Sequence, residues 1–167
     1  MNIGQAQARW ASMYQSVMDR AKDHPDVLEI MADCADAIET ENSSMHDHET
    51  MGPYDGDHWL IYARELRDKA AKIRAEDPEL WSAVPFHAFT LDQLAHFDRC
   101  LFPDALLDGL VKHGVDADEA HSIVSMVNRK RRNGGKFGTI DIYQEYIQHP
   151  AITMALSAMV AEFLSSP

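Results

Sequence analysis

Cysteine is scarce in this chain. The 167 residues hold two, Cys34 and Cys100, too few for a disulfide framework or a four-thiolate zinc centre. Both fall among apolar residues at helical spacing, which assigns them to the interior as small hydrophobes. Long apolar runs are missing too: nothing approaches the ~18 consecutive residues of a membrane span, and no basic stretch followed by an apolar one opens the chain. The expectation is a soluble, cytoplasmic protein. No segment alternates apolar and polar residues with β-branched enrichment, so a sheet is not expected. Nucleophilic catalysis has no foothold, because there is no Gly-x-Ser-x-Gly elbow and neither cysteine stands in an active-site context. The sharpest absence is of positive charge. From Asp23 to Ala63 there is no Lys or Arg, while eleven acids and four histidines crowd the same stretch.

What is present is average in amount and uneven in placement. Hydrophobic residues make up 46% and charged residues 25%, proportions that exclude a disordered or collagen-like chain. A chain of this length buries roughly 70% of its unfolded surface, enough for a core without a metal or cross-link. A single all-helical domain over residues 1–167 is expected. The 27 acids and 15 bases give a net charge of −12. Residues 1–80 hold 17 of the acids and 8 of the bases, against 10 and 7 in residues 81–167. The chain therefore reads as an acidic N-terminal part and a near-neutral C-terminal part.

Helical periodicity dominates, and the spacing predicts an all-α bundle of about seven or eight helices. Ile3, Ala6, Trp10, Met13, Val17 and Ala21 mark a first helix that stops before His24-Pro25. Asp26 is the expected cap of a second, with Val27, Ile30, Met31, Cys34 and Ile38 on one face. A polar segment from Glu41 to Gly56 follows, broken at Gly52-Pro53. Trp59, Ala63, Leu66, Ala70 and Ile73 define a third helix ending near Asp77-Pro78. Thr90-Leu-Asp-Gln93 has the form of a capping box before a helix with Leu91, Leu94 and Leu101. Shorter helices are expected over Ala105–His113, from Asp116 to the glycines at 134 and 135, over Ile140–Ile147 and over Ile152–Leu164.

On the second helix, Asp26, Glu29, Asp33 and Asp36 fall within about 80° of one another, opposite the apolar face. Such a ladder can be an ordinary solvated face. Solvated faces usually interleave signs, however, because like charges at i,i+4 destabilise a helix by a few tenths of a kcal/mol. No base lies on this helix to compensate, which points to a surface shaped for a cationic partner.

The same region offers two catalytic readings. Asp36-Ala-Ile-Glu39 and Glu65-Leu-Arg-Asp68, separated by 25 residues, resemble the paired acidic motifs of the all-α nucleoside triphosphate pyrophosphohydrolases. The resemblance covers these eight residues and implies carboxylates of two helices holding magnesium against a triphosphate. Against it, Glu65 and Asp68 project opposite Trp59, Leu66 and Ala70, whereas metal ligands should face the interior. Separately, His46, Asp47, His48 and Glu49, with Asp55, Asp57 and His58 nearby, are candidate ligands for zinc or a non-haem metal. Their spacings match no metalloprotease or zinc-finger pattern, and His-x-His converges only with help from loop geometry.

Arg129-Lys130-Arg131-Arg132, with Lys136 beyond, is one compact basic cluster at a helix C-terminus, where the macrodipole favours cations by about 0.3–1 kcal/mol each. The order of helices around Gly114 is that of a helix–turn–helix, but the would-be recognition helix opens with Asp116, Asp118 and Glu119, which repel phosphate. Asn133 to Ile140 has the Gly-x-Ile rhythm of an EF-hand loop without its oxygen ligands. Glycines with Lys136 suit phosphate, yet no strand precedes them as in a P-loop.

These features favour a small acidic helical protein that needs no cofactor and acts by protein–protein interaction. Asp26, Glu29, Asp33 and Asp36 would steer, and Asp47, Glu49, Asp55 and Asp57 would add specificity. A basic protein surface, such as the groove of a nucleic-acid-binding protein, is the expected partner. Occlusion of that groove by mimicry of nucleic-acid charge is the strategy of small phage and mobile-element inhibitors. Direct contact with nucleic acid or membrane is not expected. The basic cluster meeting the acidic stripe of a second copy would give a homodimer. The alternative is a metal-dependent hydrolase using a divalent metal at His46, His48 and His58, or at the paired helix carboxylates.

Overall fold

The computed structural model describes residues 4, 5, 8, 18–21, 23–45 and 58–166. The expected first helix lies mostly outside them, leaving helical residues 4, 5 and 8 and the turn Met18–Ala21. Among the described residues the secondary structure is helical and contains no strand, the all-α class that the periodicity predicts. The longer helices are α1 (Pro25–Met45), α2 (His58–Glu76), α3 (Leu91–Cys100), α4 (Pro103–Lys112), α5 (Ala117–Arg132), α6 (Thr139–Glu145) and α7 (Pro150–Ser165). The chain divides into two compact units, Met1–Asp77 and Pro78–Pro167, close to the boundary between acidic and near-neutral sequence.

In the first unit α1 begins two residues earlier than a cap at Asp26 would set. Pro25 takes the first helical position, where its missing N–H costs nothing, and the His24 carbonyl accepts from Leu28 N–H at 3.1 Å. Asp26 is therefore not the cap; it lies in the first turn, where its charge complements the helix dipole. At the other end, Glu41 to Met45 continue the helix instead of opening a polar segment. Leu28, Met31, Ala32, Cys34, Ala35 and Ile38 are all buried, an arc wider than one amphipathic stripe. Helix α2 buries far less: Ala63, Leu66 and Ala70 form its seam, and Trp59 packs on the cluster of Cys34 and Ile38. Small residues at that seam let the two backbones come close.

The second unit is organised around α7, whose Ile152, Met154, Ala155, Leu156, Met159 and Val160 are buried against α3, α4 and α6. The expected capping box is present: Thr90 Oγ1 accepts from Gln93 N–H at 3.1 Å, and Gln93 Oε1 accepts from Thr90 N–H at 2.9 Å. Pro103 opens α4 at its first position, two residues before the expected start. That helix ends in a Schellman motif. Val115 N–H reaches the Leu110 carbonyl at 2.9 Å, Gly114 N–H reaches Val111 at 3.1 Å, and Gly114 takes the left-handed φ of 94° that the turn requires. Asp116 caps α5 through Oδ2, which accepts from Asp118 and Glu119 N–H. Helix α6 borrows its cap: Asp98 of α3 accepts from Thr139 N–H at 2.9 Å and from the Thr139 hydroxyl. A Cβ on Gly138 would stand 2.5 Å from Asp98 Oδ2, so glycine keeps that approach open. Phe86 stacks on Tyr143 with centroids 4.1 Å apart. Two apolar expectations fail here, since Cys100 is exposed and Leu91 is 73% exposed.

Candidate functional site

The acidic ladder of α1 lies along α2, and its carboxylates are met by two arginines seven residues apart. Arg74 donates through Nε to Glu29 Oε1 at 2.9 Å and through Nη2 to Glu29 Oε2 at 3.1 Å, while Nη2 also reaches Asp26 Oδ1 at 2.6 Å. Arg67 Nη2 is 2.9 Å from Asp33 Oδ1 and 2.5 Å from Asp36 Oδ2. Lys69 adds a looser contact with Asp23 at 3.4 Å. Rising numbers on α1 pair with falling numbers on α2, so the helices run antiparallel. Each arginine bridges carboxylates three residues apart, which one helical turn brings together.

This corrects the reading of the ladder as uncompensated. The stretch from Asp23 to Ala63 indeed holds no base, but the bases that answer it stand on the next helix. Sequence reasoning missed Arg67 and Arg74, although a signal existed: their spacing of seven repeats that of Asp26 and Asp33, and of Glu29 and Asp36. Helix-by-helix reading does not compare those periods.

Exposure grades along the ladder. Asp26 has no solvent-exposed surface and Arg74 is 22% exposed, so this pair sits in the packed end of the hairpin. Asp33 and Asp36 are 52% and 38% exposed, and Arg67 is 42% exposed. The Arg67 guanidinium is held above its ordinary pKa by hydrogen bonds to Asp36 and then Asp33. For Arg74, burial opposes the charge, and the bonds to Glu29 and Asp26 overcome it, so its pKa also rises. His24, next to this end, is pushed down to about 4; burial is the main cause, with Arg74 acting the same way and Asp26 and Glu29 pulling against it.

The remaining expected site residues divide by position. His46, Asp47, His48, Glu49, Asp55 and Asp57 lie outside the described residues. His58 opens α2 and is exposed, its ring 5.6 Å from that of Trp59. The two acidic pairs of the pyrophosphohydrolase-like reading do not gather. Asp36 turns to Arg67, Glu65 and Asp68 face solvent, and Glu39 is buried with neither carboxylate oxygen hydrogen-bonded. A dinuclear magnesium cradle needs these groups to point into one space, and here they face three ways. No family model, curated protein or solved structure matches the chain. Among the described residues no helix is long and apolar enough to cross a membrane.

Proposed function

We propose that the protein acts by binding a basic protein surface through the open part of its acidic ladder. The observation that carries this reading is that two half-exposed carboxylates, Asp33 and Asp36, share the single guanidinium of Arg67. One guanidinium cannot neutralise both, so negative charge is left facing solvent. It does so on a unit whose parent segment, residues 1–80, holds 17 acids and 8 bases. Asp26 has a different part: fully buried on Arg74, it holds the hairpin and does not meet a partner. Glu29 belongs with it, and Asp47, Glu49, Asp55 and Asp57 would widen the acidic face. A groove lined with Lys and Arg, such as a nucleic-acid-binding protein presents, is the complementary surface.

Affinity capture with the whole chain, followed by titration of the purified captured protein, tests the reading. Asp33→Asn with Asp36→Asn should weaken binding about tenfold or more, and Arg67→Gln should tighten it by releasing both carboxylates. Binding should also collapse between roughly 50 and 500 mM salt, where exposed charges are screened. An affinity indifferent to salt and to all three substitutions would sink the proposal. Stoichiometric zinc, iron or manganese in the purified protein would replace it with the hydrolase reading. Sedimentation through the same salt series separates a partner from a second copy of the chain.

A further inference from the structure

At the other charged extreme, α5 ends in four consecutive bases, Arg129, Lys130, Arg131 and Arg132. Arg67, Lys69, Arg74 and Lys112 each have a carboxylate partner. Among the described residues, none of the four bases of α5 has a carboxylate within ion-pairing distance. At about 100° per residue they ring the helix instead of sharing one face. Asn128, Arg131 and Arg132, however, fall within one arc and line a shallow, open groove of about 370 Å³.

One guanidinium in this groove is oriented through Nε, and the other makes a longer contact through the same atom. Arg131 Nε donates to the Phe137 carbonyl at 3.0 Å, and Arg132 Nε donates to the Asn128 carbonyl at 3.5 Å. The loop after the helix makes the first bond possible. Gly134, at φ 84°, turns the chain. With Nε engaged, the paired Nη groups of each arginine remain as a fork of donors, and the Asn128 amide adds another. A fork of this kind matches the oxygens of a phosphate in pairs.

We propose that this groove binds the phosphate group of a small phosphorylated molecule of nucleotide size, held by Arg131, Arg132 and Asn128. Two guanidiniums and an amide supply more donors than the two oxygens of a carboxylate can accept, whereas a phosphate offers three oxygens and up to two charges. A nucleic-acid strand fits the chain poorly, since a net charge of −12 repels an extended polyanion. The proposal is independent of the acidic ladder and does not rest on it.

Calorimetric titration of the whole protein with pyrophosphate and with metal-free adenosine triphosphate tests it. Saturable one-to-one binding is expected, competed by inorganic phosphate. Arg131→Lys, which keeps the charge and loses the fork, and Arg132→Gln should each weaken binding about tenfold or more, the loss of one charge-assisted hydrogen bond. Lys130→Gln, on another side of the helix, should stay within about twofold on that same scale. Arg132 is exposed and does not tie the loop, so a loss there with an unchanged melting curve is a loss of ligand contact. No binding of either probe up to ~1 mM would overturn the proposal. So would equal losses in all three variants, or preference for a long oligonucleotide that adenosine triphosphate does not displace, because both describe diffuse charge and not a site.

Discussion

At His24 a side chain that titrates near neutrality in water is 3% exposed, immediately ahead of α1. Burial, more than its neighbours, lowers its pKa from 6.5 to about 4. The unfolded chain therefore takes up this proton first as the pH falls. Its effect on stability is absent above about pH 6.5 and grows as the pH drops towards 4, because the unfolded state binds more protons across that window. From pH 7.5 to 5 the cost is on the order of 2 kcal/mol, at about 1.4 kcal/mol per pKa unit. Urea midpoints at the two pH values check this. The wild-type chain should lose that amount, and His24→Asn should lose clearly less. An equal loss in both would assign the acid sensitivity to the carboxylates alone.

The hairpin of α1 and α2 uses one chemical device twice with unequal consequences. Arg67 and Arg74 each bridge two acids, but Arg74 holds a carboxylate with no exposed surface and Arg67 holds two that are half in water. Arg74→Gln removes the guanidinium that pairs with a fully buried carboxylate, and losing one partner of such a pair costs about 3–5 kcal/mol. Arg67→Gln breaks an exposed pair, worth about 0–1 kcal/mol. Thermal or chemical denaturation of the two variants should separate them clearly, and near-equal losses would contradict the burial gradient. Part of this was legible beforehand: α2 runs almost as its apolar spacing implies, and elsewhere Thr90, Asp116 and Gly114 punctuate helices as their chemistry dictates, whereas the start of α1 at Pro25 was not foreseen. The pairing across helices was not, because periodicity describes what a helix buries and not which helix it buries against. Cys100 and Leu91 misled for the same reason. An apolar residue at helical spacing turns inward only if a neighbour arrives to cover it.

Over the whole molecule, charge and compactness change at nearly the same place. Residues 78–167 have their own buried centre on α7, with Ile152, Leu156 and Val160 at 1% exposure or less. A fragment of that span should melt cooperatively by circular dichroism at 222 nm, as small domains with a complete core do. A gradual, featureless melt would show that its packing depends on the first unit. The ladder, the acid pairs and the basic groove were all visible as residue types. Their division into a zipped hairpin, a scattered quartet and an aligned arc depended on tertiary placement.

The borrowed cap of α6 has a bearing on the order of assembly. At seven residues the helix is too short to persist alone, since nucleation is unfavourable and isolated helices below about 12 residues are marginal. Its first turn is completed by a carboxylate 41 residues earlier in the chain. Its cap is therefore complete only when α3 is in place, which couples the opening of this segment to that contact. Hydrogen exchange at the Thr139 amide accordingly reports the docking of α3 and not the helicity of the segment that contains it.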